Sequence, residues 1–187
     1  ALGPGIGIDN DDWQKSKDFL IDFEGLLILD ADALNRISES KLGSKFFLER
    51  KYQTWITPHS KEFLRLFPNM KGETNVGLAL NAANEYDISV LLKGANSIVA
   101  DNKKVWQLFG TDSQTARAGL GDLLTGFLAG SSAMDLTYRR NITTDFFAKY
   151  VLLHSFAAAK CEKGSNASAI GDTLSKLMRN GKTRQMS

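Results

Sequence analysis

Residues 26–35 read Leu26-Leu27-Ile28-Leu29-Asp30-Ala31-Asp32-Ala33-Leu34-Asn35: four apolar residues, an acidic turn, and the first residues of an amphipathic segment. A short continuous apolar run bounded by polar residues is the pattern of a strand buried on both faces, as in a parallel sheet. The helical pattern that follows at once, Ala33–Ser40, makes the unit a strand feeding a crossover helix. The same unit recurs. Thr54-Trp55-Ile56-Thr57 is a second strand, stopped by Pro58, and Ser60–Phe67 follows as a helix opened by Ser60 with Glu62 nearby. Ile88-Ser89-Val90-Leu91-Leu92 is a third, preceded by the Ala- and Leu-rich helical stretch Glu73–Tyr86. Alternation of this kind predicts an α/β layer architecture with a mostly parallel sheet.

Working outward, Asp9–Phe23 has the composition of an amphipathic helix, with Asp9, Asn10 and Asp11 as candidate caps, and Ser44–Arg50 is a further helical candidate. Ser97–Asp101 and Lys104–Leu108 flank a polar turn and predict a hairpin, which makes the sheet mixed. The C-terminal part is helical: Asp122–Ala133, Thr143–Glu162 and Ala167–Arg179, followed by a polar tail over residues 180–187. There is no internal repeat and no low-complexity linker, so residues 1–187 are expected to form a single domain.

Composition narrows the function. Of 187 residues, 43% are apolar and 24% charged, which fits a folded globular chain and excludes disordered and fibrous classes. The net charge of +2 gives no basic surface suited to nucleic acid. No apolar run approaches the roughly 20 residues that span a bilayer, so no membrane partner is expected. The single cysteine, Cys161, excludes an internal disulfide and a multi-cysteine metal cage, and points to the cytoplasm.

In open α/β sheets ligands gather at the carboxyl ends of strands, so the residues after each apolar run are the candidates. They are Gly3-Pro4-Gly5-Ile6-Gly7, Asp30 to Asn35, Thr57-Pro58-His59 and Lys93-Gly94-Ala95-Asn96-Ser97. A fifth, Ala118-Gly119-Leu120-Gly121-Asp122, opens a helix. Glycines let successive N–H groups point outward, and the helix N-terminus adds partial positive charge, so this turn suits a phosphoryl group. An aspartate there can take a proton from a substrate hydroxyl. Each motif has a structural alternative. Asp30 and Asp32 can cap the next helix, Lys93 can be a solvated lysine, and Asp122 can merely complement a helix dipole. His154, inside an apolar helix, reads as a packing residue. The five turns are expected to converge on one sheet edge.

Taken in order, GPGIG (3–7), LDADAL (29–34), TPHSKEF (57–63), LLKGANS (91–97) and AGLGDLLTG (118–126) resemble the ADP- or ATP-dependent NAD(P)H-hydrate dehydratases of the ribokinase-like superfamily. The resemblance runs from Gly3 to about Leu177. It implies a three-layer sandwich and a lyase that restores hydrated NADH and NADPH by phosphorylating the ring hydroxyl and eliminating phosphate. It also implies a magnesium ion with the nucleotide, ADP or ATP as co-substrate, and a homo-oligomer, a tetramer in the family. By position, Asp122 matches the catalytic and substrate-binding aspartate, and Gly121 a nucleotide-contacting glycine. Lys93, Gly94, Ala95, Asn96 and Ser97 match the nucleotide-binding stretch, with Ser97 where threonine is usual. Gly7 and His59 match contacts to the hydrated dinucleotide, while Gly5, Asp32, Asn35 and Gly119 border the same cleft.

Three departures stand out. Leu120 occupies a position usually held by threonine, Arg117 is unusual, and the family's domain has strands and helices before the glycine turn. An upstream segment is therefore expected, with an NAD(P)HX epimerase domain as a candidate neighbour. The alternatives are a small-molecule kinase of the same superfamily, of the hydroxymethylpyrimidine or hydroxyethylthiazole type, and a nucleotide-binding protein that has lost its chemistry.

Overall fold

A computed structural model describes residues 1–7, 10–109, 118–139, 142–162 and 164–183. Asp9, read as a cap, and Arg117 lie outside the described residues. The chain divides into two compact units, residues 1–108 and 109–187.

The first unit is built on a five-stranded sheet in the order β1-β2-β3-β4-β5: Leu27–Leu29, Thr54–Ile56, Ser89–Leu92, Ser97–Ala100 and Val105–Leu108. The first three strands pair in parallel, with Leu29 opposite Ile56 and Ile56 opposite Val90. β4 and β5 complete the sheet in antiparallel fashion, as the hairpin pattern predicts. Every residue of β1 to β4 is buried, which explains why these strands read as continuous apolar runs. A lone parallel bridge from Leu2 to Leu29 continues the pairing beyond β1, placing the glycine turn at the carboxyl edge.

The helices of this unit are α1 (Asn10–Asp22), α2 (Ala31–Glu39), α3 (Phe46–Glu49), α4 (Ser60–Leu66) and α5 (Asn75–Tyr86). The single helix predicted over Ser44–Arg50 resolves into a 3₁₀ turn, Gly43–Lys45, that widens into α3. α2 turns Ala33, Leu34 and Ile37 into the core, and α5 lays Ala79, Ala82 and Ala83 close against β3 and β4. Small side chains permit that approach, while the volume beside them is filled by an aromatic cluster. Phe63 and Phe67 lie 4.9 Å apart by ring centroids, and Phe67 and Tyr86 5.0 Å.

Arg50 ties the end of α1 to β2. Only 6% exposed, it donates from Nη1 to the carbonyls of Leu20 (2.5 Å) and Phe23 (2.6 Å), from Nη2 to that of Gly25 (2.5 Å) and from Nε to Thr54 Oγ1 (2.8 Å). These carbonyls lie in and just after the last turn of α1, where helical acceptors have no partner of their own.

The second unit comprises α6 (Leu120–Arg139), α7 (Thr144–Lys160) and α8 (Ala167–Thr183), each packed on the other two. α6 outruns the predicted Asp122–Ala133 by two residues at its start and six at its end. Gly126, Gly130 and two serines depress the local propensity, but tertiary packing overrides it. Its core joins Ala157, Ala158, Ile170 and Leu174 to Leu120, Leu123, Phe127 and Leu153. None of the described helices is long and apolar enough to cross a membrane.

Replacing Arg50 by methionine leaves three backbone acceptors without their donor, and the protein is expected to lose about 3 kcal/mol of stability. Urea denaturation of Arg50→Met, with its midpoint unmoved, would refute that role.

Candidate functional site

At the carboxyl edge of β1, β2 and β3 the backbone itself brings four of the five turns together. Leu2 N–H donates to Ile28 O, Asp30 N–H to Leu2 O (3.1 Å), Thr57 N–H to Leu29 O (3.1 Å) and Lys93 N–H to Pro58 O (2.8 Å). His59 and Lys93 form a parallel bridge beyond the strand ends. The glycine turn must pass close to Asp30. At Gly3, with φ of +140°, a Cβ would sit 1.7 Å from the Asp30 carbonyl oxygen, so no other residue fits without moving the chain.

Gly7, also in the left-handed region at φ +71°, is held on both sides by α2. Its N–H donates to Asp32 Oδ2 (3.1 Å), and its carbonyl accepts from Arg36 Nε (2.7 Å). Arg36 is buried and lies over the Trp13 ring at 6.0 Å from the centroid. Asp32, predicted to border the cleft, thus orders the glycine turn, and Arg36 is a partner that sequence reading missed. Gly5, also at positive φ, is exposed in the same turn. Asn35, one turn further along α2, has a buried Oδ1 with no hydrogen-bond partner among the described residues.

His59 is the N-cap of α4, one residue earlier than the predicted opening at Ser60. Its Nδ1 accepts from the N–H groups of Lys61 (3.1 Å) and Glu62 (3.3 Å), while its own N–H donates to Glu62 Oε2 (2.8 Å), a reciprocal capping box. With Nδ1 an acceptor, the ring proton sits on Nε2, 3.4 Å from Glu62 Oε1. The ring is half exposed and therefore open to a ligand.

Lys93 to Asn96 form the turn of the β3–β4 hairpin, closed by Ser97 Oγ donating to Gly94 O (3.3 Å). Gly94, Ala95 and Asn96 are exposed and Ser97 is buried. The Lys93 ammonium pairs with Asp30 Oδ1 at 2.7 Å.

In the second unit, the Gly-x-Gly-Asp turn opens α6 as its sequence predicts. Gly119 has φ of +78°, its carbonyl accepts the Leu123 N–H (3.0 Å), and Asp122 stands exposed in the first helical turn after Gly121. Asp122 lies at the mouth of a cavity of about 660 Å³ between α6 and α8, lined largely by Leu123, Phe127, Met134, Leu174 and Met178. The start of α6 thus sets helical N–H groups, which suit an anion, beside an exposed carboxylate. Behind the turn sits His154, buried as a packing residue should be, with Nε2 unpartnered. Burial pushes its imidazole down to about 4, opposed in part by a hydrogen bond to the backbone of Leu120.

Among the described residues, no three His, Cys, Asp or Glu side chains come together as a metal cage. The donor set fits a metal that arrives coordinated by phosphate oxygens and water rather than one held by the protein alone.

The first unit is an α/β layer whose strand-end turns gather at one sheet edge, and comparison with known proteins narrows the reading. A family model described as NAD(P)H-hydrate dehydratase matches residues 1–179, and the chain belongs to that family. It is 35% identical over 131 residues to the bifunctional NAD(P)H-hydrate repair enzyme Nnr of Synechocystis, covering 70% of this chain and 24% of that protein. To the Nnr of Methanopyrus kandleri it is 28% identical over 187 residues, covering 96% of this chain and 35% of the relative. The chain thus spans between a quarter and about a third of these relatives. Its fold matches the ADP/ATP-dependent NAD(P)H-hydrate dehydratase of Bacillus subtilis co-crystallized with ATP/Mg2+, at TM-score 0.74 and 22% identity over 96% of this chain and 63% of that one. A ribokinase-like superfamily protein of Enterococcus faecalis matches at TM-score 0.74 and 23% identity, over 96% of this chain and 62% of that one. The fold is ribokinase-like.

Two outcomes follow. Between pH 6.5 and about 4 the unfolded chain protonates His154 while the folded one resists, so stability falls as pH drops through that window and levels off below it. The loss amounts to about 3 kcal/mol. It is read as the difference between wild type and His154→Leu in urea titrations across pH, and a constant difference would refute it. At His59, asparagine keeps a capping acceptor and alanine does not. Only His59→Ala should lose about 1 kcal/mol of stability in urea denaturation, and equal midpoints for the two variants would refute the capping role.

Proposed function

We propose that this chain carries the nucleotide-coupled dehydration that returns hydrated NADH and NADPH, in the S epimer, to NADH and NADPH. The observation that carries the reading is the family match over residues 1–179 together with Asp122 in the first turn of α6, three residues after the left-handed Gly119.

In this reading Asp122 takes the proton of the hydroxyl that hydration placed on the nicotinamide ring. The freed oxygen attacks the terminal phosphoryl of ADP or ATP, and the bond to the leaving phosphate oxygen breaks. With ADP the leaving group is AMP. The ring C–O bond of the new phosphate ester then breaks, inorganic phosphate leaving with that oxygen and its electron pair, and loss of a proton from the neighbouring ring carbon restores the double bond. The N–H groups of the Gly119–Gly121 turn stabilise charge on the phosphoryl oxygens. Gly121 and Lys93, Gly94, Ala95, Asn96 and Ser97 contact the nucleotide. Gly7 and His59 contact the hydrated dinucleotide, with Gly5, Asp32, Asn35 and Gly119 shaping their surroundings. A magnesium ion carried by the nucleotide phosphates would neutralise their charge.

We further assign the chain to a cytoplasmic homo-oligomer, tetrameric as the family resemblance implies, with an NAD(P)HX epimerase domain as its neighbour in the natural polypeptide. The bifunctional naming of the relatives, of which this chain spans about a quarter to a third, supports a further domain, and the intact and native masses of the natural protein test the fusion and the tetramer.

Incubated with hydrated NADH, magnesium and either nucleotide, the protein should restore NADH absorbance, with phosphate released in step. Asp122→Asn should slow that recovery by about 100-fold or more while leaving nucleotide affinity within a factor of a few. Recovery independent of nucleotide, or an Asp122→Asn protein as fast as wild type, would overturn the assignment.

A further inference from the structure

Lys93 reaches its partner across the sheet. It follows β3, whereas Asp30 follows β1, and the end of β2 lies between them. Their side chains nevertheless meet at 2.7 Å across 63 residues of sequence. The carboxylate is 2% exposed and the lysine side chain 25%, so the carboxylate is fixed inside and the ammonium stands at the surface of the edge.

The chain around Asp30 is unusually constrained. Asp30 N–H is bound to Leu2 O and its carbonyl accepts the Ala33 N–H, each at 3.1 Å. Gly3 presses against that carbonyl, and the next residue, Ala31, lies in the left-handed region at φ +45°, which a residue with a Cβ adopts only when its surroundings enforce it. Asp30 opens α2 as its N-cap residue, yet its side chain makes no capping hydrogen bond. A helix cap, the alternative open at the sequence level, therefore does not account for this carboxylate.

We infer that Asp30 is the positioning residue for Lys93, holding the ammonium at the start of the 93–97 turn so that it meets the phosphates of a nucleoside diphosphate or triphosphate. An ammonium has three N–H donors. Among the described residues Asp30 is the one recorded partner of Nζ, which leaves two donors for an anion. A buried carboxylate keeps hold of its counter-ion strongly, so the lysine is already in place before the ligand arrives. This inference rests on the nucleotide role proposed above for residues 93–97.

The test is a double-mutant cycle read by calorimetric ADP binding in the presence of magnesium, with thermal unfolding of every variant alongside. Asp30→Asn should weaken ADP binding by about tenfold or more, as expected for a disordered charge-assisted contact. Lys93→Ala should weaken it at least as much, and adding Asp30→Asn to Lys93→Ala should change the affinity no further. A purely structural ion pair predicts otherwise: equal or tighter ADP binding by Asp30→Asn, or losses that add in the double variant, and either result overturns the inference. Where Asp30→Asn does not fold, Asp30→Glu takes its place. It keeps the charge but displaces the ammonium by about one C–C bond, enough for a comparable loss, and wild-type affinity in that variant overturns the inference. A wild-type protein that binds no ADP overturns the nucleotide assignment and this inference together, whereas wild-type binding indifferent to Asp30 overturns this inference alone.

Discussion

The close passage of the Leu2–Gly7 segment over Asp30 is the constraint on which the carboxyl edge depends. It fixes the backbone of Asp30 from both sides and leaves only glycine at position 3. It also buries a carboxylate that must then find a cation. The cation comes from the end of β3, so one contact registers the outer strand, the third strand and the hairpin turn against each other. The glycine turn continues into the grip of Asp32 and Arg36, which satisfy the two polar groups of Gly7 that a strained, exposed turn would otherwise leave to water. The edge is therefore ordered before any ligand binds, which reduces the entropy lost on binding.

The second unit achieves a similar order by different means. Among the described residues no side-chain ion pair fixes the Gly119–Asp122 turn. Its shape comes from the left-handed glycine, the start of α6 and a buried imidazole kept neutral by its surroundings. A hydrogen bond that favours the protonated ring makes the imidazole the donor and the Leu120 backbone the acceptor.

The three parallel strands, the hairpin and the long helices were legible because each is set by a local pattern. Apolar runs end at polar turns, and helical periodicity ends at glycine or at short polar connections. The glycine turn, the 93–97 turn and the Asp122 turn could likewise be located, since each follows a strand or opens a helix. What escaped was pairing across distance. Nothing near Asp30 distinguishes it from a helix cap, and nothing near Lys93 marks it as a paired lysine, because 63 residues separate them. Arg36 and Arg50 escaped for the same reason: arginine in an amphipathic segment reads as surface, yet both are 6% exposed and spend their donors on backbone carbonyls. The capping role of His59 was not legible, since the Ser that follows it is the more usual choice. The boundary of α6 was misplaced because glycines and serines lower propensity without preventing a packed helix.

Leu120 shows how a departure from a family pattern can be absorbed. The threonine usual at this position would offer a hydroxyl to the turn, whereas leucine offers none. In this chain the Leu120 side chain instead packs against the apolar cluster of α7 and α8, adding to the core of the second unit. Its backbone carbonyl meanwhile serves as partner to His154. The backbone N–H groups that suit the turn to a phosphoryl group do not depend on which side chain stands there. The side chain at this position thus serves the packing of the second unit, while the backbone of the turn is the same whichever side chain stands there.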